Sequence, residues 1–171
     1  HIVSNYYDVS ISDSFANCDV VGESYVGGLV GDLVGNEVLV KNSYSQGTVK
    51  GEFRDIGGLV GLIGGHLVNV FDSYSNAVIT VNGTVVQEVG GLVGYIEGTS
   101  YVSGSYTRSE LTVDAVEKIS SIGGIIGAWK GEGEESLSIS DSSSDGLINI
   151  NTIENTASYV GGIAGMLTGQ N

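Results

Sequence analysis

A glycine-dense block returns five times along this 171-residue chain: VGGLVG at 26–31, IGGLVG at 56–61, VGGLVG at 89–94, IGGIIG at 122–127 and VGGIAG at 160–165. Glycine loses more backbone freedom on folding than any other residue. A chain that repeats three glycines in six residues therefore needs an architecture that uses them at every return. A serine-centred block alternates with the first: DSFANCDVVG (13–22), NSYSQGTVKG (42–51), DSYSNAVITV (72–81), GSYTRSELTV (104–113) and DSSSDGLINI (141–150). Glycine blocks begin 30, 33, 33 and 38 residues apart, and serine blocks 29, 30, 32 and 37. The two series stay in phase, so the chain holds five units of one repeat.

Aligning the units turns the repeat into geometry. Before each serine block aliphatics alternate, as in Val9 and Ile11, Val38 and Val40, Val68 and Val70, Leu137 and Ile139. That is the period-2 signature of a strand. A second inward row is Val20, Val49, Ile79, Leu111 and Ile148, and a third is Leu29, Leu59, Leu92, Ile125 and Ile163. Sustained helical spacing is missing, and β-branched residues and glycine dominate. Three short strands per unit predict a right-handed parallel β-helix, a three-faced β-solenoid of about five coils. The hand follows from the preference of parallel crossovers, and stacked strands lie about 4.8 Å apart. Residues 1–171 read as one such module, cut from a longer protein whose coils continue on both sides.

In a solenoid each position stacks on itself. Gly35, Gly65, Gly98, Gly131 and Gly169 form one row, expected to mark a corner with positive φ. Phe15, Tyr44, Tyr74 and Tyr106 form another, either a glycan-binding strip or an internal ladder of stacked rings. The ladder is the favoured reading, because solenoid rows are usually structural. Cys18, the single cysteine, shares its position with Gly47, Ala77, Ser109 and Gly146 and reads as a packed core thiol. Val30, Val60 and Val93 directly follow the inward leucine row and should face outward. Two residues on, Asp32, Leu62, Tyr95, Ala128 and Met166 are also mostly apolar. Either a bulge at the paired glycines turns both rows inward, or this face is covered by flanking chain or a partner. The covered face is the expectation, with Val30, Val60 and Val93 as surface candidates.

Composition sets bounds on function. Twenty acids against six bases give a net charge of −14, which argues against nucleic acid and anionic membranes. It suits a soluble extracellular surface. The chain contains no proline, in keeping with continuous ladders. A zinc peptidase centre needs paired histidines, and the chain has only His1 and His66. No nucleotide-loop or serine-hydrolase fingerprint appears, so no cofactor and no catalytic residue is expected. Glu132, Glu134 and Glu135 are weak Ca²⁺ candidates, three carboxylates where six to eight oxygens are needed. Asp13, Asn42, Asp72 and Asp141 recur at one position and raise the alternative of a polysaccharide-active β-helix. The plainer reading is a row of Asx residues shaping a bend. A flat ice-binding threonine array is not present, since Asp19, Val78, Glu110 and Leu147 share the position of Thr48.

The pattern [VI]-G-G-[LI]-x-G followed by x-S-Y-S-x-G-x-V resembles the GLUG motif of large bacterial cell-surface proteins. These include adhesin-like proteins and the non-catalytic parts of immunoglobulin A-specific metallopeptidases. The clearest copies are Ile56–Gly61 and Val89–Gly94, with Asn42–Gly51 and Asp72–Val81. Ile126 and Ala164 depart at the second valine, and Ser143 at the tyrosine. The resemblance implies a non-catalytic stalk or adhesive module at the bacterial cell surface or secreted, with a host glycoprotein, immunoglobulin or glycan as partner. It alternatively implies a substrate-docking region of such a peptidase, whose catalytic centre would lie elsewhere.

Overall fold

The computed structural model describes residues 2–3, 7–152 and 157–170. Every regular element among them is a β-strand, and every strand pairing is parallel between equivalent positions of successive units. The parallel β-solenoid expected from the repeat is what the chain forms. One ladder shows its extent. Val9–Ser12 pairs with Glu37–Lys41, that with 67–71, that with 100–103, and that with Leu137–Ser140. Five layers are thus joined by four steps from coil to coil.

Each winding carries four strand segments where the periodicity marks three. In one complete winding these are Glu37–Lys41, Tyr44–Gly51, Arg54–Gly57 and 60–64. The first and fourth kinds of segment form one sheet, and the second and third form the other. The interior divides accordingly. Leu33, Val38, Val40, Leu59, Val60, Ile63, Val68 and Val70 belong to one core. Val49, Ile56, Ile79, Val81, Val86 and Val89 belong to the other.

Glycine and serine blocks stay in phase because they meet at the waist between the two cores. The Ser45 hydroxyl donates to the Gly58 carbonyl at 2.6 Å, and Ser45 and Ser75 are fully buried. The three glycines of a block serve three different approaches. A Cβ on Gly57 would strike the Val60 carbonyl of its own turn. On Gly58 it would strike Gly91 and Ser75 of the next coil, and on Gly61 the backbone of Gly31 and Asp55. This tight turn interrupts the strand alternation, so Leu59 and Val60 both point inward. Val60, Val93 and Ile126 are completely buried, while Val30 is half-buried against the same core. The bulge alternative holds for these positions, and Val60 and Val93 are not surface residues.

The first serine of S-Y-S builds a separate ladder. Each hydroxyl donates to the carbonyl two residues earlier: Ser43 to Lys41, Ser73 to Phe71 and Ser105 to Ser103. Each oxygen also accepts the N–H of its counterpart one coil before, Ser43 donating to Ser73 and Ser73 to Ser105. Replacing Ser73 by alanine strands the buried Ser43 N–H, while the Phe71 carbonyl keeps the Asn42 N–H; a stranded buried donor costs about 1–3 kcal/mol. The denaturant midpoint of Ser73→Ala is expected to fall at constant slope; an unchanged midpoint would remove the ladder's structural role.

The residue before that serine turns the corner in left-handed conformation. Asp13, Asn42, Asp72 and Asp141 have φ between 48° and 50°, and Gly104 has 61°. Asn, Asp and Gly are the residues that accept this region, so Gly104 meets the same need as the Asx residues around it. The row expected to supply positive φ does not. Of Gly35, Gly65, Gly98, Gly131 and Gly169, only Gly98 adopts it. Gly35, Gly65 and Gly131 instead make room for nearby atoms, Gly131 for the Trp129 ring. Cys18 is exposed rather than packed in the core. It sits in the first described layer, whereas Ala77 and Ser109 at the same position in inner layers are 1% exposed.

Candidate functional site

The aromatic row is a ladder, but an external one. Phe15–Tyr44, Tyr44–Tyr74 and Tyr74–Tyr106 stack with centroids 5.2, 4.8 and 4.8 Å apart and planes within 9° of parallel. The three tyrosines are half-buried and Phe15 is exposed. Each inner ring spends both faces on its neighbours, and the Arg108 guanidinium lies 5.7 Å from the Tyr106 ring centre. A sugar stacks on a ring face, so this row presents edges where a glycan platform needs faces.

The other candidates also resolve into local structure. Glu132 is ion-paired with Lys130 at 2.8 Å, which lowers its carboxyl below the usual range. The Glu135 carboxylate accepts the Glu132 N–H at 2.7 Å, closing the loop, and Glu134 is exposed beside it. Among the described residues no three His, Cys, Asp or Glu side chains gather as a metal site would require. Asp13 accepts a hydrogen bond from the Asn42 amide at 3.1 Å, and the rest of that row turns corners. His66 is exposed, and His1 lies outside the described residues.

A concave site forms where the repeat leaves no obvious mark. The third segment enters the waist, turns at the paired glycines and leaves as the fourth. The outer side of this turn is a groove of about 330 Å³. Its lining comes from every layer: Tyr25, then Arg54, Asp55 and Leu62, then Gln87, Glu88 and Tyr95, then Lys130, then Met166 and Thr168. Tyr25, Asp55 and Glu88 precede successive glycine blocks, and all three have positive φ, 56°, 55° and 50°. This bend lets Val86 and Val89 both point into the core and places Gln87 and Glu88, the two residues between them, at the groove. A non-glycine residue held there costs on the order of 1 kcal/mol.

The electrostatics of the groove are unusual for so acidic a chain. Asp55 is 4% exposed. Burial raises its carboxyl to about 7, Glu88 adds to this, and the Arg54 guanidinium opposes it, with Nε 3.6 Å from the carboxylate. Burial likewise raises Glu88, against Arg54 and Lys118. The Tyr95 phenol is pushed up to about 12, first by burial and then by Glu97, Glu88, Asp55 and Glu132. Arg54 also lies over the Tyr25 ring, 5.0 Å from its centre, and hydrogen-bonds the Tyr25 hydroxyl. Two carboxyls in adjacent coils thus share a desolvated floor between aromatic walls. The sequence reading missed this site. Its signal was the row Tyr25, Asp55, Glu88, Ser121 and Tyr159, a polar residue immediately before every glycine block. Comparison with protein-family models, with curated proteins and with solved structures finds no match to this chain.

Proposed function

We propose that the chain is a non-catalytic module of an extracellular bacterial surface protein, a β-solenoid spacer that also presents an adhesive face. The observation that carries this reading is where the repeated side chains go. The serines bond along the ladder and across the waist, the tyrosines stack on each other, and the glycines admit backbone. A repeat whose consensus is used up in stacking specifies a shape rather than a reaction. The resemblance to the GLUG motif and the charge of −14 support the same reading.

Display of the chain on bacterial cells tests the adhesive half. Cells carrying it should be retained on wells coated with immunoglobulin A or a mucin-type glycoprotein more than on bare wells. Equal retention would remove that half. Small-angle scattering tests the spacer half. A tandem duplication should keep the cross-section and lengthen the particle in proportion, whereas a compact particle of twice the mass would refute it.

A further inference from the structure

The groove has a composition that selects a class of ligand. Its cations are engaged, Arg54 by the hydroxyl and ring of Tyr25, and Lys130 by Glu132 at 2.8 Å. A sulfated or uronic-acid chain would therefore meet two floor carboxyls, with both cations of the lining already engaged. A basic peptide would meet Arg54 and Lys130 at the rim. The floor itself suits a neutral polar ligand. A buried carboxyl raised to about 7, like that of Asp55, holds a proton up to near neutrality and can then donate as well as accept. The walls supply apolar surface from Leu62, Met166 and the two tyrosines. Apolar walls with a few convergent polar groups are the ordinary make-up of a small-molecule site, and about 330 Å³ falls at the lower end of the ~300–1,000 Å³ such sites occupy. The groove draws its lining, different in each coil, from successive coils about 4.8 Å apart along the axis. That is close to the advance of one sugar in an extended polysaccharide.

We propose that this groove binds an uncharged oligosaccharide lying along the solenoid axis, its ring faces against Tyr95 and Leu62 and its hydroxyls on Asp55, Glu88 and Gln87. The site is distinct from the tyrosine ladder, whose ring faces are taken. It deepens the adhesive half of the proposed function and rests on that reading.

The test is titration of the full 171-residue chain, followed by NMR, with short neutral gluco-, manno- and xylo-oligosaccharides. Oligogalacturonate and oligolysine are titrated in parallel. At least one neutral oligosaccharide should bind saturably, at millimolar concentration or below. Tyr95→Ala and Gln87→Ala should each weaken it by about tenfold or more, roughly the effect of losing one good contact. Tyr74→Phe, which keeps the ladder's rings, should bind as the parent does. Should Tyr95→Ala fail to fold, Gln87→Ala at the rim decides alone. Three outcomes overturn the proposal: no saturable neutral ligand, tighter binding of oligogalacturonate or oligolysine, or undiminished binding by the folded variants. If displayed cells still adhere while no neutral sugar binds, the adhesive reading stands and the groove assignment falls.

Discussion

Gly58→Val should abolish the cooperative fold, or lower its stability by about 4 kcal/mol or more, while Gly162→Ala should leave it within about 0.5 kcal/mol. The two glycines hold the same position in their blocks, the second of the pair. A Cβ on Gly58 would come inside 3.0 Å of the Gly91 carbonyl oxygen and of both Oγ and Cβ of Ser75. These are backbone and short, fully buried groups of the next coil, so nothing can swing aside. Relief would require separating two coils and breaking the hydrogen bonds Gly58 N–H to Gly90 and Leu59 N–H to Leu92. Valine adds two further methyls to that clash. Gly162 lies in the last layer, and a Cβ there meets nothing within 4 Å. A rule based on intrinsic glycine preference would treat both positions alike. Stacking separates them. Thermal or denaturant unfolding of Gly58→Val, Gly58→Ala and Gly162→Ala measures the difference, with Gly58→Ala falling between the others. Similar losses for both alanine variants would mean that contact with the next coil does not explain the repeat.

The same distinction shows how much the sequence could tell. A period of about thirty residues, the phase of two blocks and alternating aliphatics suffice for a parallel solenoid, because each property is shared by every layer. Val38, Val40, Val49 and Leu59 are buried as their rows require. Three things were hidden. The glycine turn breaks the period-2 alternation, so Val60 and Val93 cannot be assigned a side by counting. Left-handed corners at Asp13, Asn42 and Asp72 look like ordinary Asx bends. The same conformation at Tyr25 and Glu88 is announced only by a polar residue before the glycine block. That cue does not distinguish a left-handed corner from an extended one such as Ser121, because tertiary packing imposes it. The third strand segment and the groove floor both depend on that unmarked corner. Finally, burial varies with layer as well as row: Cys18 and Ala77 share a position, yet one is exposed and the other buried.

That unmarked corner also makes stability depend on pH through one side chain. The Asp55 carboxyl moves from an ordinary value of 3.8 to about 7 on folding, chiefly because it is buried, with Glu88 and Asp32 adding to the rise and Arg54 opposing it. Below pH 4 both the folded and unfolded chains carry the proton, and Asp55 contributes no penalty. Between about 4 and 7 the folded chain holds a proton that the unfolded chain has lost, so stability falls as pH rises. Above 7 the carboxylate is ionised in both states, and the buried charge costs the fold on the order of 4 kcal/mol. Glu88, also raised by burial, adds to the slope in the same direction. Asp55→Asn removes the titration. Its stability should match the parent near pH 4 and exceed it near pH 8, with a flatter dependence between. The remaining acids set a common background slope in both proteins, so the difference between the two curves isolates Asp55. Denaturant midpoints across this range supply it. Parallel curves for Asp55→Asn and the parent would mean that the groove floor is wet enough to hold its charge without penalty.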